Sequence, residues 1–408
     1  MTIAFLSVSA EMGGSEVSLL ELVRGLHRLE PSWALHVVVP REGPLSRAAA
    51  ADGAVIHVLP LPARLMRVGE AGVGPGMMLG RGASLLFAAG SLAPYGRRLG
   101  RLLAGIAPDI VHSNGFKLHV LGARVAPPSA AIVWHIHEYI ARRPISRRLL
   151  RAHVSRCAAI VANSRSVAIE VSEILDPPAP VSTIYNAVDG RKFSPDGPNV
   201  DLDRLSGLPP ADAGTVRVGL VATYGRWKGH ETFVDALTQI DPRLPWRAYI
   251  VGGSLYDTSH SQYRREELEA TVAAAGLAGR VGLTGFVERP WEAMRALDVV
   301  VHASTQPEPF GLVIAEGLAS GRAVVVSAAG GAAELVKDDV DALTHAPGDV
   351  AGLARAITRL IADAGLRARL GAAGRAGALR RFAPDVYARA FANVYEDARA
   401  RAMSHARH

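Results

Sequence analysis

The 408-residue chain predicts an α/β protein built from two doubly wound parallel sheets in tandem, and three observations carry that expectation. Short β-branched runs alternate with longer helical patterns almost from end to end. The runs are continuously apolar rather than alternating, as strands covered by helices on both faces must be. The alternation breaks once, from Phe193 to Gly214, where Pro195, Pro198, Pro209, Pro210 and three glycines leave little apolar periodicity, and then it restarts.

In chain order, the strands of the first half are expected at Ile3–Ser9, Leu35–Pro40, Val55–Pro60, Asp109–Ser113, Ala131–His137, Ala159–Asn163 and Val181–Asn186. The first could pass for the apolar core of a signal peptide, but no Lys or Arg precedes it and Glu11 and Glu16 follow at once, which favours a buried strand. Ser15 to Leu29 carries Leu19, Leu22, Val23 and Leu26 at helical spacing and completes a β-α-β unit. After the break, strands are expected at Val216–Ala222, Arg247–Val251, Val281–Thr284, Val299–His302, Ala323–Ser327 and Ala342–His345, with helices at Glu231–Gln239, Glu266–Ala275 and Ile314–Ala319. From Pro384 to about Met403, Tyr387, Phe391 and Tyr395 recur at i, i+4 and i+8, a stripe suited to packing on a domain. The expected division is 1–195 for the first domain, 196–214 for a linker or domain edge, 215–384 for the second domain and 385–408 for a helix returning to the first. A cleft at the carboxyl ends of the strands is the default ligand site.

Composition narrows the function classes. Hydrophobic residues make up 49% and charged residues 20%, which excludes a disordered chain. The single Cys157 forms no internal disulfide, and no Cys/His cluster has zinc spacing. No stretch reaches the ~18 apolar residues of a membrane span, so a soluble, cytoplasmic protein is expected. The net charge of +7 is uneven: residues 1–190 hold 19 Lys+Arg against 13 Asp+Glu, with Arg142, Arg143, Arg147, Arg148, Arg151 and Arg156 in one run. That run suits anionic lipid headgroups on the inner face of a membrane, a phosphorylated acceptor, or nothing more than a solvated helix face. Nucleic acid fits least, because no aromatics interleave.

The chemistry concentrates in EPFGLVIAEGLASG, Glu308 to Gly321. Pro307 and Pro309 bracket Glu308 and fix its carboxylate on a loop just past a strand. A helix should begin near Phe310-Gly311 and stop at Gly321, and its unpaired first N–H groups with the helix dipole make an anion site suited to a diphosphate. Glu316 falls inside that helix, where its oxygens need hydroxyl donors, and a ribose offers two.

Here the chain resembles the retaining glycosyltransferases of family 4, with the two-Rossmann-domain GT-B fold. Two glutamates seven residues apart, with Pro-Phe-Gly after the first, are that family's most specific motif. Gly13-Gly14 before Ser15-Glu16 resembles its glycine loop, and Asp109-Ile110-Val111-His112, His137-Glu138 and Ile184 to Asp189 with Phe193 fit its later landmarks in order. So do Trp227-Lys228-Gly229, Gly330-Gly331 with Glu334, and Phe382.

The resemblance implies an acceptor-side first domain, a sugar-nucleotide-binding second domain and a deep cleft. Lys228 would contact the donor diphosphate, Glu316 the ribose and Glu308 the transferred sugar. The backbone N–H groups of Phe310 and Gly311, at the helix start with Leu312, would hold sugar and phosphate. Gly13 and Gly14 would let backbone approach the diphosphate, His137 would touch the sugar near the reacting centre, and Thr284, Gly285, Phe286 and Val287 would wall the base. The family commonly has an Arg five residues before the motif Lys; here that position is Thr223, and Arg226 is expected to supply the second charge from a shifted place. Transfer would be same-face attack, with no metal and no cofactor beyond the nucleotide-sugar co-substrate, a uridine or guanosine diphosphate sugar. The acceptor would be a hydroxyl of a glycolipid, glycan or secondary metabolite, its site shaped by the irregular residues 61–104 with Met66, Met77 and Met78. Oligomeric state stays open.

Other features carry less. Asp339-Val340-Asp341 imitates a metal-binding Asp-x-Asp but sits in a polar turn; Gly252-Gly253-Ser254 is a lone glycine turn; His112 reads equally as a core histidine, and Cys157 as buried and inert. A sugar-nucleotide epimerase, a phosphorylase or a non-catalytic sugar- or nucleotide-binding protein on the same two-lobed plan remains the alternative. Lys117, Lys192 and Lys337 sit in polar settings ill suited to the pyridoxal lysine of a phosphorylase.

Overall fold

The structure, a computed structural model, describes residues 1–62, 81–254 and 261–405. Met66, Met77 and Met78 lie outside the described residues. The chain forms two compact units, Met1–Ala187 with Pro384–His408, and Val188–Ala383.

The first unit is built on strands β1 (Thr2–Ser7), β2 (Ala34–Val39), β3 (Val55–Val58), β4 (Ile110–Asn114), β5 (Ala131–Ile136), β6 (Cys157–Ala162) and β7 (Val181–Thr183). They pair in parallel in the order β3-β2-β1-β4-β5-β6-β7. Successive side chains of β1 show why its strand pattern is continuously apolar. Ile3 and Phe5 face one core, with Leu19, Leu22, Val23 and Leu26 of the helix Gly14–Leu29 and with Tyr387, Phe391 and Tyr395 of the C-terminal helix Pro384–His405. Ala4 and Leu6 face the other, under the helices Arg81–Ile106, Phe116–Val125 and Pro144–His153. From residue 81 onward, the helix Arg81–Ile106 corrects the expectation of an irregular stretch over 61–104. Pro94 and several glycines mask its pattern, yet Tyr95, Leu99 and Leu103 recur four apart and are buried.

The second unit holds β8 (Val216–Val221), β9 (Trp246–Val251), β10 (Val281–Gly285), β11 (Val299–His302), β12 (Ala323–Ser327) and β13 (Leu343–His345), parallel in the order β10-β9-β8-β11-β12-β13. The stretch expected to be a linker folds onto this sheet. Asp201 caps the short helix Leu202–Ser206 by accepting from Arg204 N–H at 3.0 Å, and Asp203 accepts from Arg247 at 2.7 Å and from the Tyr249 hydroxyl at 2.6 Å, both on β9.

Both sheets therefore run 3-2-1-4-5-6 from one edge, and in each the direction of winding reverses at the strand that begins the unit: between β1 and β4, and between β8 and β11. Loops diverge at such a reversal and leave a crevice outside the carboxyl ends of the strands. That rule selects the loops that follow β1, β4, β8 and β11.

Phe391 of the C-terminal helix is fully buried in the first unit, so Phe391→Ala should cost about 3–5 kcal/mol. Chemical denaturation followed by circular dichroism would show it, and a loss under about 1 kcal/mol, far below the usual cost of such a truncation, would mean that the helix is not an integral part of that core.

Candidate functional site

In the second unit the reversal brings together two residues 80 positions apart. Lys228 closes the turn after β8, and Glu308 lies in the loop after β11. The two loops are fastened by the Thr305 N–H donating to Trp227 O at 2.8 Å. Gly229 makes the fit possible: its φ is +79°, and a Cβ there would stand 1.9 Å from Ala303 O. The Glu308 backbone is pinned from the other side, its N–H donating to Ala329 O at 3.3 Å and its O accepting from Gly331 N–H at 2.8 Å. The Gly330-Gly331 pair thus positions the glutamate loop.

The Lys228 ammonium donates to Glu308 Oε2 at 2.9 Å and Oε1 at 3.2 Å. The Ser304 hydroxyl donates to Oε2 at 2.9 Å, and His302 Nε2 lies 3.3 Å from the same oxygen. Burial pushes the Glu308 carboxyl up, but the Lys228 charge and the His302 contact outweigh it and hold the group at about 2. His302 and Ser304 carry no motif of their own in the sequence; their signal is position alone, at and just past the end of the switch-point strand.

Two residues beyond Glu308 comes Phe310, buried with its ring edge-on to Phe382 at 5.8 Å, and then the helix Leu312–Ala319. Gly311 caps the helix at φ +94° with no side-chain bond, and its first turn holds no acidic residue. No acidic side chain of the helix itself covers those first amides; the nearest carboxylate is that of Glu308, whose Cγ lies 3.5 Å from where a Gly311 Cβ would stand. Glu316 lies one turn further on, half-buried, and the loss of water around it pushes its carboxyl up to about 7 with no partner to offset the cost.

Arg226 turns elsewhere. Its guanidinium pairs with Glu267 at 3.3 Å and stacks over Tyr263 at 4.4 Å. At the end of β10, Thr284 is buried, Gly285 takes φ +73° and Phe286 is 73% exposed, packed beside Gly253. Arg265, which no motif marks in the sequence, runs along this wall and donates to Leu283 O at 2.8 Å. Val287 follows on the same loop, half-buried.

Gly13, Gly14 and His137 all lie in the first unit. Gly13 caps the helix Gly14–Leu29 with an ordinary φ of −88°, so backbone strain does not demand glycine there. The space a side chain would take belongs to Glu16, whose Oε2 lies 2.8 Å from a Cβ built on Gly13. That carboxylate accepts from the Ser15 hydroxyl at 2.9 Å, and burial raises its pKa against bonds from Ser15 and from the Glu16 and Gly13 backbone. The start of this helix already holds an anion.

His137 follows β5. The Asn114 atom that lies 3.1 Å from Ser15 O faces an acceptor and is therefore the amide nitrogen, so Oδ1 is the atom 2.8 Å from His137 Nε2. Nε2 must then carry the ring proton and donate, which leaves Nδ1 bare. Burial holds the ring neutral, with a pKa of about 3. His112 is a core histidine bonded to the Tyr395 hydroxyl at 2.7 Å, and Cys157 is buried. Asp339 is paired with Arg359 and Arg369, and among the described residues no group of three His, Cys, Asp or Glu is arranged to hold a metal ion.

Against known proteins, a family model described as Glycosyltransferase Family 4 matches residues 12–191, and one described as Glycosyl transferases group 1 matches 215–363. D-inositol 3-phosphate glycosyltransferase of Xylanimonas cellulosilytica is 37% identical over 218 residues, 49% of this chain and 50% of that enzyme, so the chain spans about half the length of that relative. The lipopolysaccharide core biosynthesis mannosyltransferase LpsB of Rhizobium meliloti is 29% identical over 75% of this chain and 91% of its own. The crystal structure of HepE from Anabaena in complex with UDP superposes with a TM-score of 0.78 at 25% identity, over 97% of this chain and 100% of that one.

Two outcomes check this geometry. Lys228→Met strands a buried carboxylate, so stability at pH 7 should fall by about 3–5 kcal/mol. In the native protein the depressed Glu308 pKa contributes stability above its unfolded value of 4.5 that is lost as pH falls toward about 2. The variant lacks that contribution, so its deficit should shrink below about pH 5 as Glu308 takes up a proton; urea curves that stay parallel from about pH 7 to 4 would contradict the pairing. Long-range 1H–15N spectra should show His137 protonated on Nε2, with Asn114→Ala mixing the two tautomers. A wild-type ring protonated on Nδ1 would refute the Asn114 assignment.

Proposed function

We infer the reaction from a plain premise: the chain belongs to the group 1, family 4 glycosyltransferases of the GT-B fold. We propose that it moves a hexose-type sugar, with retention, from a nucleotide diphosphate donor to a hydroxyl acceptor. The observation that carries the reading is the Lys228–Glu308 pair beside a helix start whose own first turn carries no acidic residue. Lys228 and the first amides of Leu312–Ala319 would stabilise charge as it builds on the departing diphosphate. Glu308 would hold sugar hydroxyls, and Glu316 the ribose. Arg226 would join only by leaving Glu267, which makes Lys228 the principal cation.

Glu308 suits a binding role better than a nucleophilic one. Its oxygens already accept from Lys228 and Ser304, and a carboxylate held at about 2 is a weak nucleophile. Retention is then by same-face attack, with the leaving phosphate oxygen taking the acceptor's proton. His137, with Nδ1 bare, can accept from a sugar hydroxyl. The names of relatives in lipopolysaccharide core biosynthesis support an acceptor borne on a glycolipid or glycan, and the UDP held by HepE puts uridine donors first in a screen.

Calorimetry against a panel of uridine and guanosine diphosphate sugars tests the reading. One of them should bind, and Lys228→Ala should weaken it roughly ten- to a hundredfold; a folded chain that binds none would overturn it. The anomeric configuration of the product by NMR tests retention.

A pH series tests Glu316. If a ribose diol donates to its carboxylate, the bound form is ionised, so affinity should rise roughly tenfold per pH unit up to about 7 and level off above. The diphosphate diester of a sugar nucleotide does not titrate in that range. Glu316→Gln should remove the slope, and a flat wild-type profile would take Glu316 off the ribose.

A further inference from the structure

We infer that the first unit carries a docking face for an anionic lipid bilayer, centred on the helix Pro144–His153. In this helix Leu150 alone is fully buried and serves as the anchor. Ile145 and Leu149, one turn apart, are each 47% exposed, while Arg147, Arg148 and Arg151 stand exposed beside them. At about 100° per residue, Ile145, Leu149 and Ala152 fall within a sector of about 60°, the three arginines lie along one flank of it, and Ser146, Leu150 and His153 lie along the other, roughly opposite the arginines. The helix thus has two amphipathic boundaries, one toward the core and one toward solvent. Arg142 and Arg156 extend the exposed charge, and no Asp or Glu occurs between them.

The same face continues sideways. The helix Phe116–Val125 packs against both Pro144–His153 and Arg81–Ile106. Between it and the last of these runs a groove floored by Gly96 and Gly100, walled by Leu121 and Val125 and rimmed by the exposed Arg97 and Arg124. Apolar surface edged by guanidinium groups therefore occurs twice on one layer of helices.

Charge complementarity and the exposed aliphatics together select the occupant. A purely solvated face has no use for an exposed Ile and Leu in register. Nucleic acid would use the arginines but leave both aliphatics in water, and no aromatic occurs from Arg142 to Arg156 for stacking. An anionic bilayer satisfies every group: the aliphatics enter the acyl boundary, and the guanidinium groups reach phosphates along their apolar stems. Two aliphatics make a shallow anchor, so binding should be reversible and salt-sensitive. The inference stands on the surface of the first unit and does not depend on the transfer reaction.

Sedimentation of the full chain with phosphatidylcholine vesicles, with and without phosphatidylglycerol, tests it. The protein should pellet with the anionic vesicles at low salt, return to solution at high salt and ignore the neutral ones. The Arg147→Gln, Arg148→Gln, Arg151→Gln variant should partition on the order of a hundredfold less well, while its thermal melt and its sugar-nucleotide affinity, measured in parallel, stay unchanged. The fluorescence of an Ile145→Trp variant should shift to the blue on anionic vesicles, and Ile145→Ser with Leu149→Ser should abolish the binding that survives moderate salt. Wild-type protein left in the supernatant with anionic vesicles at low salt would overturn the inference. So would a triple variant that pellets like wild type, an unshifted emission from the Ile145→Trp variant, or capture by heparin or polyglutamate with no capture by vesicles.

Discussion

A carboxylate buried at the end of a parallel sheet must be neutralised, and the second unit is organised around meeting that requirement. Glu308 meets it through Lys228, 80 residues away in the chain, so every feature that holds the two loops together is tied to one charge pair. Strand order makes β8 and β11 neighbours. Gly229 lets the lysine turn lie against Ala303, Thr305 ties the loops, and Gly330-Gly331 clamps the glutamate backbone. Removing a partner from such a pair is costly because the surviving charge stays buried. The pair works as a constraint on geometry more than as a source of net stability.

The strands were legible because each is an uninterrupted apolar run, and in a doubly covered sheet burial on both faces writes that pattern directly into composition. The helix Arg81–Ile106 was not, because Pro94 and its glycines weaken propensity while Tyr95, Leu99 and Leu103 supply tertiary packing that propensity cannot express. At the site, prolines around Glu308 and the apolar setting of Glu316 marked them as unusual carboxylates. What lay out of reach was partnership. Nothing in the local sequence of His302 or Ser304 says that both meet Glu308, since that follows from where a loop doubles back. Arg226 shows the same limit: its spacing from Lys228 left it a candidate for a phosphate, while Tyr263 and Glu267, brought near by tertiary folding, engage it instead.

The two units share one strand order yet treat their helix starts in opposite ways. In the first, Gly13 caps a helix whose Glu16 folds back over the leading amides, so the partial positive charge there is already answered. In the second, Gly311 caps a helix with no acidic residue in its first turn. A glycine-rich start is therefore not by itself an anion site; the residue two or three positions on decides whether the amides await a ligand. By that criterion the helix at Gly311 is the better equipped to receive a diphosphate, and the loop at Gly13-Gly14 accepts an anion only if Glu16 is protonated or displaced. Its raised pKa makes protonation easier than for an ordinary glutamate.

The free helix start also resolves a difficulty that the charge pair creates. On the proposed reading Lys228 must serve a diphosphate while still neutralising Glu308, and a single cation cannot fully compensate both. An ammonium group has three N–H donors, of which the Glu308 oxygens take two, at 2.9 and 3.2 Å, and the Trp227 ring centroid lies 3.9 Å from the nitrogen, so a phosphate oxygen would compete with that ring for the third. On that reading the charge that Lys228 leaves unanswered would fall to the amides at the start of Leu312–Ala319, whose partial positive charge is fixed by the backbone. A mobile arginine would add little to a leaving group already held this way, which is consistent with Thr223 standing five residues before Lys228 and Arg226 being committed to Glu267. On the proposed reading, lysine, glutamate and helix start would act as one unit, in which the carboxylate fixes the cation in place and the amides add to the charge that the carboxylate consumes.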